Sequence, residues 1–296
     1  MRPFHIALAL LVALIWGVNF VFIKMALTGF PPLLLTAARF TLAALPVLFI
    51  PKPPQLRWRD LALVSTFLFV GHYAFLFSAM DNGMAPGLAS ILLQSQAFIT
   101  MLLALPVLGE RPGGRQLAGA CIAAAGLAVT AGTIGGDVTW IGFILTMLAA
   151  ASWGMGNVLT RRLPPTPTLP LMVWLSLVPP LPALALSLAI EGPARVVEAL
   201  THFNGVAVGS LLYIAILSTL GGFGMWGFLL KTYRAGLVAP FALMVPVFGT
   251  VTAHLVYGES FGPQRMAGMV LIFIGILVPS LPLARLLGRR AVVTSQ

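Results

Sequence analysis

Hydrophobic residues make up 59% of this 296-residue chain and charged residues 8%, with a formal net charge of +10 at pH 7. An ordinary soluble domain carries roughly 25% charged residues, so a water-soluble globule is excluded: only helices facing lipid can leave this much apolar surface uncovered. The cations stand mostly at the ends of apolar runs rather than along one polar face, which argues against nucleic acid, and the single cysteine, Cys121, excludes an internal disulfide or a CxxC metal site.

Windows of about 17–25 mostly apolar residues place ten transmembrane helices. Five fall in the first half, near His5–Leu27, Pro32–Ile50, Leu61–Met80, Pro86–Leu108 and Gln116–Thr133. Five more follow near Trp140–Thr160, Leu169–Ile190, Gly205–Leu230, Leu237–Tyr257 and Pro263–Leu283. Gly and Pro mark the junctions, as at Pro31-Pro32, Pro51-Lys52-Pro53-Pro54, Pro112-Gly113-Gly114, Gly135-Gly136, Pro164-Pro165 and Gly262-Pro263. The opening run lacks an A-x-A cleavage signature and is expected to be a retained first helix. With the N-terminus inside, cytoplasmic segments hold Arg2, Lys52, Arg57, Arg59, Arg111, Arg115, Arg161, Arg162, Lys231, Arg234, Arg285, Arg289 and Arg290, against Arg195 and Arg265 outside. The positive-inside rule therefore puts both termini in the cytoplasm.

The two halves repeat one another. At an offset of 137, Trp16 falls on Trp153, Gly17 on Gly154 and Lys24 on Arg161; at an offset of 149, Gly87 falls on Gly236, Gly109-Glu110 on Gly258-Glu259, Gly119 on Gly268 and Gly126 on Gly275. The offsets differ by a 12-residue insertion near helices seven and eight. Five is an odd number, so the second copy enters the membrane from the opposite side. The expected fold class is an all-α membrane protein of two inverted-topology five-helix repeats, residues 5–133 and 140–285, an architecture suited to alternating access.

These residues resemble the EamA family of the drug/metabolite transporter superfamily. The marks are Leu14–Phe20 (LIWGVNF), Ala38-Arg39-Phe40, Gly87-Leu88-Ala89 and Gly109-Glu110-Arg111, with counterparts at Trp153-Gly154, Gly236–Ala239 and Gly258-Glu259. Within the family, Phe20–Lys24, Pro31–Phe40 and Gly87–Phe98 are similar to exporters of O-acetylserine and cysteine, and exporters of aromatic amino acids are neighbours. The resemblance covers essentially the whole chain. It implies a ten-helix bacterial inner-membrane exporter of amino acids or related metabolites. The second copy departs from the pattern, since Gly156 stands where Asn19 would be and Ala-Arg-Phe has no clear counterpart in helix seven, so only the first copy inherits those roles.

Polar side chains inside the spans supply the candidate site, because an unpaired polar group in hydrocarbon is costly. Asn19 and Asn157 fall near mid-helix and either bond a neighbouring helix or, beside Trp16 and Trp153, line a cavity for a zwitterion. Lys24 and Arg161 are expected to snorkel to opposite interfaces. Gln94 and Gln96 in helix four, which also carries Ser90 and Ser95, lie about 200° apart on an α-helix and cannot share one face. One is expected toward helices three and eight, the other toward helix one. Their matches in helix nine, Leu243 and Val245, are apolar, so the polar lining is asymmetric. His72, followed by Tyr73, is either a neutral satisfied partner or the group that couples protons, with His254 second to it. Trp226 and Tyr213 are belt or cavity aromatics. Arg39 is the deepest permanent cation, while every carboxylate falls at a helix end or in a loop. It either anchors through water and helix-end carbonyls or meets a substrate carboxylate.

The cavity is thus expected to be lined by Trp16, Asn19, Arg39, His72, Tyr73, Gln94, Gln96, Trp153, Asn157 and Trp226. The function expected is a secondary transporter exporting amino acids or related zwitterions, as monomer or homodimer in membrane lipid. A drug or nucleoside-type metabolite exporter of the same superfamily is the alternative. An intramembrane enzyme finds no support, because G-x-S-x-G, H-E-x-x-H and a paired intramembrane Asp are all missing from the sequence. Neither a cofactor nor a metal is expected, and a non-transporting scaffold would leave the buried amides and histidine unexplained.

Overall fold

The computed structural model describes residues 1–135, 138–202 and 204–280. Gly136, Asp137, the expected tenth helix beyond Ser280, and Arg285, Arg289 and Arg290 lie outside the described residues.

Among the described residues the regular structure is helical, in ten rods and one short helix. In chain order these are α1 (Pro3–Ala26), α2 (Pro32–Leu48), α3 (Trp58–Asp81), α4 (Pro86–Leu108), α5 (Gly114–Ala131), α6 (Trp140–Thr160), α7 (Thr168–Glu191), α8 (Gly205–Thr232), α9 (Leu237–Tyr257) and α10 (Pro263–Ser280). Seven of them, all but α2, α5 and α10, are long and apolar enough to cross a membrane by length and composition. Between α7 and α8 runs a short helix, Pro193–Thr201, where the offsets of the sequence repeat diverge.

Local chemistry sets the ends of the rods. Pro32, Pro86 and Pro263 begin helices at positions whose N–H would have no intrahelical partner anyway. α4 and α9 both stop at a glycine in the left-handed region, Gly109 (φ +72°) and Gly258 (φ +67°), each followed by a glutamate. The repeated Gly-Glu pair therefore ends the same helix in both copies.

Equivalent helices also pack equivalently. α1 runs parallel to α9, with Gly17 against Val245, Phe248 and Gly249, and the Tyr257 hydroxyl donating to Val21 O at 3.4 Å. α6 runs parallel to α4, with Gly154 against Ile99 and Thr100, the residues 149 positions before Phe248 and Gly249. α1 is antiparallel to α8, since Tyr213 OH donates to Ile15 O (2.9 Å), Asn204 Nδ2 to Thr28 Oγ1 (3.1 Å), and His5 meets Tyr233 (2.8 Å). α6 is antiparallel to α3, where Ser152 Oγ donates to Phe67 O (2.6 Å) and Gly142 packs on Ala79 and Met84. α9 runs against α4, Gly249 meeting Ser90 and Ala253 facing Gly87, so α1 and α6 point in opposite directions. α1 therefore belongs spatially to the second half and α6 to the first. α5 and α10 pair antiparallel, Gly126 on Gly268 and Gly119 on Gly275, so the repeated glycines face one another. α2 is tied to the end of α7 through Glu191, whose carboxylate accepts from Leu33 N (2.7 Å) and Leu34 N (3.2 Å).

The two cations matched by the repeat sit at opposite ends of the bundle. Lys24 Nζ donates to Met80 O (3.0 Å) at the end of α3, and Arg161 forms a two-pronged pair with Glu110 (2.9 and 2.6 Å) just past the end of α4. The Arg161–Glu110 pair is about half exposed, 51% and 48%. Exposed pairs contribute roughly 0–1 kcal/mol, so Glu110→Gln should shift the unfolding free energy by less than about 1 kcal/mol. Thermal unfolding of the purified protein checks this.

Candidate functional site

The central helices part at mid-depth around a cavity of ≈ 190 Å³, far above the roughly 10–15 Å³ that admits one water. Both halves line it. Trp16, Asn19 and Phe20 come from α1, Arg39 from α2, His72, Tyr73 and Leu76 from α3, and Ser90, Leu93, Gln94 and Gln96 from α4. Trp153 on α6, Ser218 and Phe223 on α8, and Ala242 and Val245 on α9 complete the wall.

Backbone irregularities beside the cavity aim these groups. α3 widens into a π-helical turn over Thr66–Gly71, and its partner in the repeat, α8, does so over Tyr213–Gly221. Such turns loosen the i→i−4 ladder and leave carbonyls for side chains: Ser152 takes Phe67 O, Thr219 Oγ1 donates to Ile214 O (2.8 Å), and Trp16 Nε1 donates to Ser218 O (3.0 Å). Trp16 lies so close to α8 that a Cβ on Gly222 would stand 2.4 Å from Nε1, which makes glycine necessary there. Its indole also rests on Phe223 (5.4 Å) and Trp226 (5.3 Å). The repeat mate of Trp16, Trp153, packs in the same way on α3 against His72 (4.6 Å) and Tyr73 (6.4 Å).

α4 tightens instead. A 3₁₀ segment spans Leu93–Ser95, and at three residues per turn positions two apart are separated by about 120° rather than 160°. Both are expected near the substrate path, and the tightened turn lets Gln94 and Gln96 border one cavity although uniform α-geometry puts them on different faces.

Arg39 is buried, with 2% of its surface exposed. Its Nε and Nη2 donate to Thr219 Oγ1 (3.1 and 2.9 Å), Nη2 also reaches the Tyr73 hydroxyl (3.3 Å), and the guanidinium lies 4.1 Å from the centre of the Tyr73 ring. Within the chain, two hydroxyls and a π-face hold it rather than helix-end carbonyls. Among the described residues Nη1 has no hydrogen-bond partner, and neither does Asn19 Oδ1 or Gln96 Oε1. His72 Nδ1 lies 3.0 Å from Ala149 O. A carbonyl only accepts, so Nδ1 carries the proton.

Eight of the ten expected side chains thus meet at one cavity, and two do not. Asn157 turns to α4, its Nδ2 3.5 Å from Thr100 Oγ1, and Trp226 stands behind Trp16. A helical wheel gives the face of a residue but not which neighbour fills it. Tyr213 stacks on Phe22 at 3.8 Å, and His254 bonds Glu259 O (2.7 Å) beyond the end of α9, so both are away from the cavity. Ser218 and Thr219 were not anticipated, although adjacent hydroxyls at the centre of an apolar span are a readable signal. A larger depression, ≈ 500 Å³, opens at one end of the bundle between the α1–α2 turn and the Pro193–Thr201 helix, with Asp81, Arg195, Glu198 and His202 on its rim. Among the described residues no group of three His, Cys, Asp or Glu side chains is placed to hold a metal.

The EamA-like transporter family model matches residues 3–132 and again 140–281. A protein of Salmonella typhimurium named a probable amino-acid metabolite efflux pump is 40% identical over 277 residues, covering 92% of this chain and 93% of its own length. A protein of Escherichia coli with the same name is 38% identical over 277 residues with the same coverage. A crystal structure 19% identical in sequence superposes with a TM-score of 0.64 over 97% of this chain and 100% of its own, which supports the fold alone. A multi-pass helical membrane protein whose two halves each match one family model, and which is 40% identical to a relative across nearly its full length, belongs to the EamA-like transporter family.

Proposed function

We propose that the chain is a secondary transporter exporting amino acids or related small metabolites across a bacterial inner membrane. The ten rods cross it as two five-helix repeats of inverted topology, with both termini in the cytoplasm. Substrate binds the central cavity, and the halves rock about it so that it opens to each side in turn. What carries the reading is the cavity itself: it lies at mid-depth between the halves and joins buried polar groups to apolar walls from both, the arrangement an inverted-repeat transporter requires. The opposed directions of α1 and α6 support the inversion. The names of the efflux-pump relatives support the substrate class.

Counterflow in proteoliposomes tests it. Vesicles preloaded with cysteine, O-acetylserine, threonine or phenylalanine should take up the labelled compound faster than protein-free vesicles for at least one of them. Uptake equal to that of protein-free vesicles for all four would defeat the proposal.

A further inference from the structure

We infer that the cavity recognises the α-amino-acid backbone of its cargo at two poles, the carboxylate on Arg39 Nη1 and the ammonium between Asn19 Oδ1 and Gln96 Oε1; this rests on the exporter reading above.

The three atoms are buried, lie on residues lining one cavity, and have no hydrogen-bond partner among the described residues. Native proteins leave few buried polar atoms unsatisfied, and each such atom calls for an explanation. Their chemistry is complementary. A guanidinium nitrogen only donates and carries positive charge, whereas an amide oxygen only accepts. A ligand that carries both an anionic acceptor and a cationic multiple donor answers all three atoms at once, and the exporter reading supplies the α-amino acid as that ligand. A plain amine would leave Nη1 unanswered beside a second cation, and a plain carboxylate would leave both amide oxygens dry. Among the described residues no carboxylate lines the cavity, so an arriving carboxylate is what balances Arg39.

The rest of Arg39 is fixed independently of any cargo. Thr219 and Tyr73 take Nε and Nη2, which leaves Nη1 as a preset donor. All three pole residues belong to the first half of the chain. Phe20, Leu76 and Leu93 of the first half and Phe223, Ala242 and Val245 of the second supply apolar walls for a variable side chain.

The test uses full-length protein and three matched compounds: phenylalanine, phenethylamine, which lacks the carboxylate, and 3-phenylpropionate, which lacks the ammonium. The same triplet is built on cysteine. Binding is read by isothermal titration, alongside the counterflow assay. The amino acid of at least one triplet should bind about tenfold to a hundredfold more tightly than either truncated partner, the range expected for losing charge-assisted hydrogen bonds. Arg39→Gln should weaken the amino acid by a similar factor and leave the amine unchanged. Asn19→Leu with Gln96→Leu, which spares the Arg39 cluster and covers the case in which Arg39→Gln fails to fold, should weaken the amino acid and leave the acid unchanged. Counterflow of amino acids with truncated compounds binding equally well, or discrimination unaltered in the variants, overturns the inference while the exporter stands. Absence of all counterflow removes both.

Discussion

Gly126→Val is expected to leave little well-folded protein. A Cβ at Gly126 would lie 2.6 Å from Gly268 O and 2.7 Å from Ile272 N, and one at Gly275 would lie 2.6 Å from Gly119 O. These obstacles are backbone atoms of the neighbouring helix, so no side-chain rotation relieves them and α5 must move away from α10. Overpacking a close-packed interior typically costs about 1–3 kcal/mol and occasionally more; with rigid backbone opposite, about 3 kcal/mol or more is expected. The control is Gly209→Ala in α8, where a Cβ meets nothing within 4 Å. There the substitution should stabilise by about 0.5–1 kcal/mol, because alanine favours the helix. Size-exclusion profiles and unfolding midpoints separate the two. If both variants behave like wild type, α5 and α10 do not approach through these glycines.

Glu191→Ala should be the next most damaging change. Pro31 and Pro32 have no N–H, so the first donors of α2 are Leu33 and Leu34, and both go to the Glu191 carboxylate, which also receives Ser187 Oγ at 2.5 Å. Hydrogen bonds to a charged group contribute about 1.5–3 kcal/mol each, and Leu33 and Leu34 are buried. Partial exposure of the carboxylate reduces this, so a loss of about 2–4 kcal/mol is expected. Glu191→Gln keeps one accepting oxygen and should lose less. Equal unfolding midpoints for Glu191→Ala and wild type would show that something else satisfies the start of α2. Since α2 carries Arg39, the same variant should also weaken transport beyond its effect on stability.

The helices were largely legible because proline and glycine punctuate an apolar chain. Pro86–Leu108, Trp140–Thr160 and Leu237–Tyr257 have the expected bounds, and only the start of α3, Trp58 rather than Leu61, moves by more than two residues among the helix starts. The repeat was legible too, because identities at Gly17, Gly109 and Gly126 mark places where only glycine allows the approach or the turn. What the sequence hid was the irregular backbone. A π-helical turn at Tyr213–Gly221 or a 3₁₀ turn at Leu93–Ser95 leaves no trace in composition, and with uniform α-geometry Gln94 and Gln96 were placed on different sides. The partner of Arg39 was hidden for the same reason: Thr219 reaches it from within that widened turn of α8. For Asn157 the sequence left open a bond to a neighbouring helix or a place in the cavity lining, and the structure has it on Thr100 of α4, because the filling of a helix face depends on crossing geometry.

The exchange of α1 and α6 between halves also bears on how the chain is made. At about 5–20 residues per second, a ribosome needs on the order of 10–50 s to go from Ala26 to Tyr257. Until then the earliest segment to enter the bilayer lacks α9, and before Thr232 it lacks all of α8 too, so its Gly17 notch is unfilled. A nascent chain stopped after α5 is therefore an incomplete object rather than half a protein. Late truncations should betray themselves at the amino-terminal end, as earlier digestion of α1, far from the cut.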